Sequence, residues 1–178
     1  HPCQIIADIL TIKDRKKNTQ GINVAYVGDS NNVANSWLFG APKAEMNLRI
    51  ASPEGYRPAQ EIVEKAEKLA EESRTEIKVT GSAEEAVVDA DVIYTDVWTS
   101  MGQEKEAEKR RKDLKAYQVN QDLVKQAKKD VIVMHCLPAH RGEEITDEVM
   151  DGTNSVVFEQ AENRLHAQKG ILALLMGR

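Results

Sequence analysis

The stretch Ile22-Asn23-Val24-Ala25-Tyr26-Val27, followed by Gly28-Asp29-Ser30-Asn31-Asn32, decides the fold of this chain. An apolar, β-rich run without clean polar alternation predicts a strand buried on both faces, and hence a parallel sheet. The polar turn that follows ends it, and 32–43 reads as a helix. The same unit recurs outward. Residues 48–51 (LRIA), 77–80 (IKVT), 92–97 (VIYTDV) and 131–135 (VIVMH) read as strands, and 57–73, 83–89 and 121–129 as helices. In 57–73, Ile62, Ala66, Leu69 and Ala70 share one stripe while Glu61, Glu64, Lys65, Lys68 and Glu72 face water. Strand alternating with helix implies right-handed crossovers: an α/β fold with a doubly wound, mainly five-stranded parallel sheet and helices on both faces. Such sheets bind ligands beyond the C-terminal ends of their strands. The chemistry is therefore sought at 28–32, 52–53, Gly81, 98–102 and 136–138.

With 178 residues the chain can bury about 70% of its unfolded surface, enough for a core without disulfides or metals. It carries 24 Lys and Arg against 29 Asp and Glu, a net charge of −5. That balance argues against a general nucleic-acid or anionic-membrane binder, because phosphate neutralisation needs a basic face. No segment approaches the roughly 18 apolar residues of a membrane span. Cys3 and Cys136 lie far apart and in no CxxC pair, so a disulfide framework or zinc ribbon is not expected. A cytoplasmic location is the expectation, since no basic-then-apolar leader precedes the first helix. The start at His1-Pro2, without Met, raises the expectation of a piece excised from something longer.

The first loop lacks GxGxxG, because Gly28 is followed by no glycine until Gly40. A nicotinamide dinucleotide is therefore disfavoured. Of Asn31 and Asn32, one can cap the helix while the other turns its amide into the crevice. Asp96, at the end of the fourth strand, is placed to hold a cationic group or to be a solvated turn residue. The run 103–115 (QEKEAEKRRKDLK) reads as a charged helix or flap over the crevice. After the fifth strand come His135-Cys136-Leu137-Pro138. Neighbours on a strand point to opposite faces, so His135 is badly placed as a base for Cys136. Metal ligation by His135, Cys136 and His140 matches no standard spacing. At the ends, HPCQIIADIL reads as a helix with Pro2 in its first turn and an Ile5, Ile6, Ile9, Leu10 stripe. Glu159-Gln160-Ala161-Glu162-Asn163-Arg164 precedes an apolar helix, 165–176, with Arg164 at its start, where a cation favours an anionic partner.

Taken in order, HPCQ, GDSNN, DVWTSMG, HCLP and ENR resemble the ornithine carbamoyltransferase family over essentially the whole chain. Each motif alone is weak; five in sequence are specific. The resemblance implies a Rossmann-like domain, no metal or organic cofactor, and transfer of the carbamoyl group of carbamoyl phosphate to L-ornithine. It further implies that His1 and Gln4 contact the carbamoyl group and that Arg164 polarises its oxygen. Asn32, Asp96, Ser100 and Met101 hold the amino-acid end of ornithine, and Cys136 with the Leu137 carbonyl lines the place where the amine attacks. His1, Asp96, Cys136 and Arg164 are the catalytic candidates. A carboxylate and thiol would orient the amine and receive its proton.

The chain departs from the family in three respects. No Ser-x-Arg-Thr-Arg phosphate loop is present, so residues 1–178 read as one ornithine-binding-type domain without the carbamoyl-phosphate half. Weak or absent turnover alone is then expected, and a monomer where the family is commonly trimeric. Pro42 falls within a predicted helix, at a cost of about 3 kcal/mol in an interior position. Glu45 stands where the family usually has a glycine, a position suited to left-handed backbone. A non-catalytic fragment, or an engineered folding or assembly module of the same fold, is the alternative.

Overall fold

The computed structural model describes residues 1–99, 102 and 104–177. Five strands, β1 (Asn23–Val27), β2 (Asn47–Ala51), β3 (Ile77–Thr80), β4 (Val92–Thr95) and β5 (Ile132–His135), form one sheet in the order β3-β2-β1-β4-β5. Every pairing is parallel, with Tyr26 set between Ile50 and Tyr94. The order reverses between β1 and β4, so the crevice of a doubly wound sheet opens between the loops that follow those two strands.

Around the sheet lie α1 (Pro2–Lys16), α2 (Asn32–Lys43), α3 (Gln60–Ser73), α4 (Ala83–Val87), α5 (Ala107–Leu114), α6 (Gln121–Val124), α7 (Asp147–Met150) and α8 (Val157–Met176). The pleat sorts the core into two layers. Val24, Tyr26, Leu48, Ile50, Tyr94 and Met134 pack with Ile5 and Ile12 of α1 and Trp37 and Leu38 of α2. Ala25, Val27, Ile93 and Val133 pack with Ala86 and Val87 of α4 and Leu123 and Val124 of α6. Burial on both faces is why β1, β4 and β5 carry so few polar residues.

Several boundaries differ from the sequence expectation. Pro58 keeps Arg57 out of helical backbone, and α3 begins at Gln60. The chain leaves α6 at Val124 instead of Lys129, because the Lys128 N–H turns to the Ala90 carbonyl (3.2 Å) and its ammonium to Asp91 (2.9 Å). The buried face of α1 is Gln4, Ile5, Asp8, Thr11 and Ile12, while Ile6 is exposed. The helix expected from 165 starts at Val157, so Arg164 sits in its interior and the argument from a helix start does not apply. Pro42 occupies the last turn of α2, two residues before the cap at Ala44. Glu45 takes the expected left-handed backbone, with φ 59°. Among the described residues, no helix is long and apolar enough to cross a membrane.

Candidate functional site

Asp96 lies one residue beyond β4, where ladder pairing has stopped and its carboxylate is free to turn into the crevice. Three donors hold it. Asn31 Nδ2 reaches Oδ2 at 2.6 Å, while the Val97 N–H (2.8 Å) and Cys136 Sγ (3.0 Å) donate to Oδ1. The two tasks expected of the asparagine pair fall to one residue. Asn31 Oδ1 caps α2 by accepting from the Val33 N–H at 2.7 Å, and its amide nitrogen holds Asp96. Asn32, the first residue of the helix, is exposed and lines a groove between α1 and α2 together with His1, Ser36 and Phe39.

Cys136 follows β5 and is largely enclosed. Burial, and then the adjacent Asp96 charge, hold its thiol far above the usual thiol range. A thiol so held is a hydrogen-bond donor, and Asp96 Oδ1 accepts from it. His135 is wholly buried and takes a structural part. Its Nδ1 accepts from the Leu137 N–H (2.9 Å), which fixes Nε2 as the protonated nitrogen facing Glu144 Oε1 at 3.1 Å. The imidazole thus braces the turn that carries Cys136 and Leu137.

A second cluster lies on α1 and α8. Arg164 Nη1 donates to Gln4 Oε1 at 2.5 Å, and Gln4 Nε2 donates to Asp8 Oδ1 at 2.8 Å. Gln160 Nε2 reaches the same oxygen at 2.8 Å, and the Tyr94 hydroxyl donates to Oδ2 at 3.0 Å. Burial lifts the Asp8 carboxyl to about 7 against the opposing pull of those donors. Tyr94 also reaches the Cys136 thiol, which joins the two clusters. Gln4 is nearly fully buried with both amide ends engaged, so it supports Arg164 instead of presenting a free amide. Among the described residues, Arg164 Nε is buried and has no hydrogen-bond partner.

The structure therefore joins Asp96 to Cys136 and Gln4 to Arg164, and places His1 with Asn32 along one groove; Leu137 follows Cys136 directly. Ser100 and Met101 lie outside the described residues. Sequence reasoning missed Asp8 and Arg110, and it left open which of Asn31 and Asn32 turns inward. For Asp8 a signal existed: Gln4, Asp8 and Thr11 recur at helical spacing on the same face as Ile5 and Ile12. As for metals, donor atoms of Asp96, His135 and Cys136, and those of His140, Glu143 and Glu144, lie within 4.8 Å of one another. In the first group His135 is already committed at both nitrogens, so it offers no lone pair without rearrangement.

A doubly wound parallel sheet with a buttressed carboxylate at its switch point defines an α/β domain of the kind that binds its ligand in that crevice. Residues 20–175 match the family described as aspartate/ornithine carbamoyltransferase, Asp/Orn binding domain, and the chain belongs to that family. The ornithine carbamoyltransferase of Thermococcus kodakarensis is 56% identical over 177 residues, covering 99% of this chain and 56% of the relative. The structure of the Pyrococcus furiosus ornithine carbamoyltransferase superposes with a TM-score of 0.95 at 56% identity, covering 99% of this chain and 56% of that one. That from Gloeobacter violaceus gives 0.92 at 46% identity, covering 99% and 59%. The chain thus spans little more than half the length of these relatives.

Proposed function

We propose that this chain binds L-ornithine at Asp96 and forms the ornithine side of a carbamoyltransferase site, whose carbamoyl phosphate contacts are completed by a further domain. The observation that carries this reading is the Asp96 carboxylate at the switch point, held by Asn31, the Val97 N–H and Cys136. An acceptor-only group so oriented suits an ammonium. The family relationship supplies the amino acid that bears it.

In the reaction, the side-chain amine of ornithine must be neutral to attack. Its nitrogen forms a bond to the carbamoyl carbon, the carbon–oxygen bond to phosphate breaks, and the one proton the nitrogen loses leaves with the departing phosphate. The Leu137 carbonyl beside the Cys136 turn accepts from the amine and aims its lone pair. Arg164, oriented through Gln4 and Asp8, stabilises negative charge on the carbamoyl oxygen. Holding both reactants in register supplies much of the remaining acceleration. By family resemblance, Asn32, Ser100 and Met101 are assigned to the amino-acid end of ornithine and His1 to the carbamoyl group.

Calorimetric titration with L-ornithine tests the binding step. Saturable binding that Asp96→Asn weakens about tenfold or more is expected. Absence of binding, or binding indifferent to Asp96, refutes the assignment. Citrulline formation should appear only when a carbamoyl-phosphate-binding half is supplied, and full turnover by the chain alone would contradict the division of labour.

A further inference from the structure

Helix α5 comes from the most charged stretch of the chain, yet its Arg110 is only 8% exposed. Arg110 Nη1 donates to Asp29 Oδ2 at 2.8 Å and to the Trp98 carbonyl at 3.0 Å. Its guanidinium carbon stands 5.2 Å from the centroid of the Tyr56 ring, and the Tyr56 hydroxyl donates back to Asp113 of the same helix at 2.9 Å. One side chain therefore touches the loops that follow β1, β2 and β4. Burying a guanidinium is costly unless its partners are all in place, so this geometry constrains those loops as much as it anchors α5.

What the two hydrogen bonds reach matters more than their number. The Asp29 carbonyl accepts from the Tyr26 hydroxyl (3.1 Å) and from the Asn31 N–H (2.8 Å), and Asn31 in turn holds Asp96. Trp98 lies two residues past Asp96 on the other segment. Burial raises the Asp29 carboxyl, and the Arg110 charge opposes that rise. Arg110 therefore grips both chain segments that deliver the Asn31–Asp96 contact.

We propose that Arg110 is a positioning residue for the amino-acid site: by gripping Asp29 and the Trp98 carbonyl together, it sets the Asn31 amide against the Asp96 carboxylate and thereby sets the affinity for ornithine. The inference rests on Asp96 being the ornithine anchor.

The test combines calorimetric titration of L-ornithine into the wild-type chain and the variants R110Q, R110K and D29N/R110Q with the side-chain amide resonances of Asn31 recorded without ligand. R110Q is expected to weaken binding about tenfold or more and to move the Asn31 amide signals. Those of Asn154, bound to the Val131 carbonyl at the opposite end of the sheet, should stay in place. R110K, which keeps the charge and its donors, should recover most of the affinity. D29N/R110Q removes the stranded carboxyl, so it reports on the lost grip even if R110Q alone does not fold; it should bind as weakly as R110Q and show the same displaced Asn31 signals. An unmoved Asn31 amide in R110Q or D29N/R110Q overturns the proposal, whatever the affinity, because Arg110 would then be only a structural tie. Wild-type affinity in either variant overturns it as well. If the wild-type chain gives no ornithine binding, the assignment of Asp96 fails instead, and the Asn31 resonances still decide the grip.

Discussion

Cys136 Sγ donates a hydrogen bond to Asp96 Oδ1 at 3.0 Å, across the gap between the ends of β4 and β5. Both burial and the neighbouring carboxylate disfavour the thiolate. Alkylation proceeds through the thiolate. Iodoacetamide at neutral pH should therefore label the exposed Cys3 faster than Cys136 by a factor of about ten or more. Asp96→Asn, which removes the repelling charge, should narrow that gap. Peptide mass spectrometry over a time course reads both rates. Equal labelling in the wild-type chain would contradict a protonated, carboxylate-bound thiol.

The positions of these two residues are legible in the sequence: the strand read at 92–97 carries Asp96 near its end and Cys136 follows the strand read at 131–135, which places both at the C-terminal edge of a parallel sheet. The two-layer core follows from the same patterning, because each strand with few polar residues needs cover on both sides; the strand order does not. The partnerships were not legible. Nothing in Asn31-Asn32 tells which amide turns inward until the helix start is fixed to the residue, and that start makes Asn31 the cap. Arg110 stands within a run of four basic residues that share one composition and differ only in which of them faces the sheet. Asp8 was hidden by an apolar stripe drawn through Ile6 and Ile9, roughly a third of a turn away from the face that α8 and β4 cover.

Asp8 makes stability depend on pH in an uncommon direction. Its carboxyl loses a proton near 3.8 in the unfolded chain and at about 7 in the folded one. Between those values the folded state holds the extra proton, so stability falls as pH rises. Asp29, also raised by burial, contributes in the same sense. Urea unfolding of the wild-type chain and Asp8→Asn from about pH 4 to about pH 7 checks this. The difference between them should shift in favour of Asp8→Asn as pH rises, by at most about 1.4 kcal/mol per pH unit. Parallel pH profiles for the two proteins would show that Asp8 does not titrate in this window.

Glu45 offers a cleaner test of backbone strain, because its side chain is exposed. Its φ of 59° closes α2: the Glu45 N–H reaches the Pro42 carbonyl at 3.0 Å, and its own carbonyl accepts from the Gly21 N–H at 2.8 Å. A residue with a Cβ loses roughly 1 kcal/mol in this conformation, whereas glycine adopts it freely at some cost in unfolded-state entropy. Glu45→Gly should therefore stabilise the chain by about 0.5–1 kcal/mol, a rise in unfolding temperature of about 1–4 °C for a domain of this size. Glu45→Ala separates strain from side-chain effects: it retains the Cβ, so it should leave the midpoint near that of the wild type. An unfolding temperature for Glu45→Gly equal to that of Glu45→Ala would mean that the turn between Pro42 and Asn47 stores no strain at this residue.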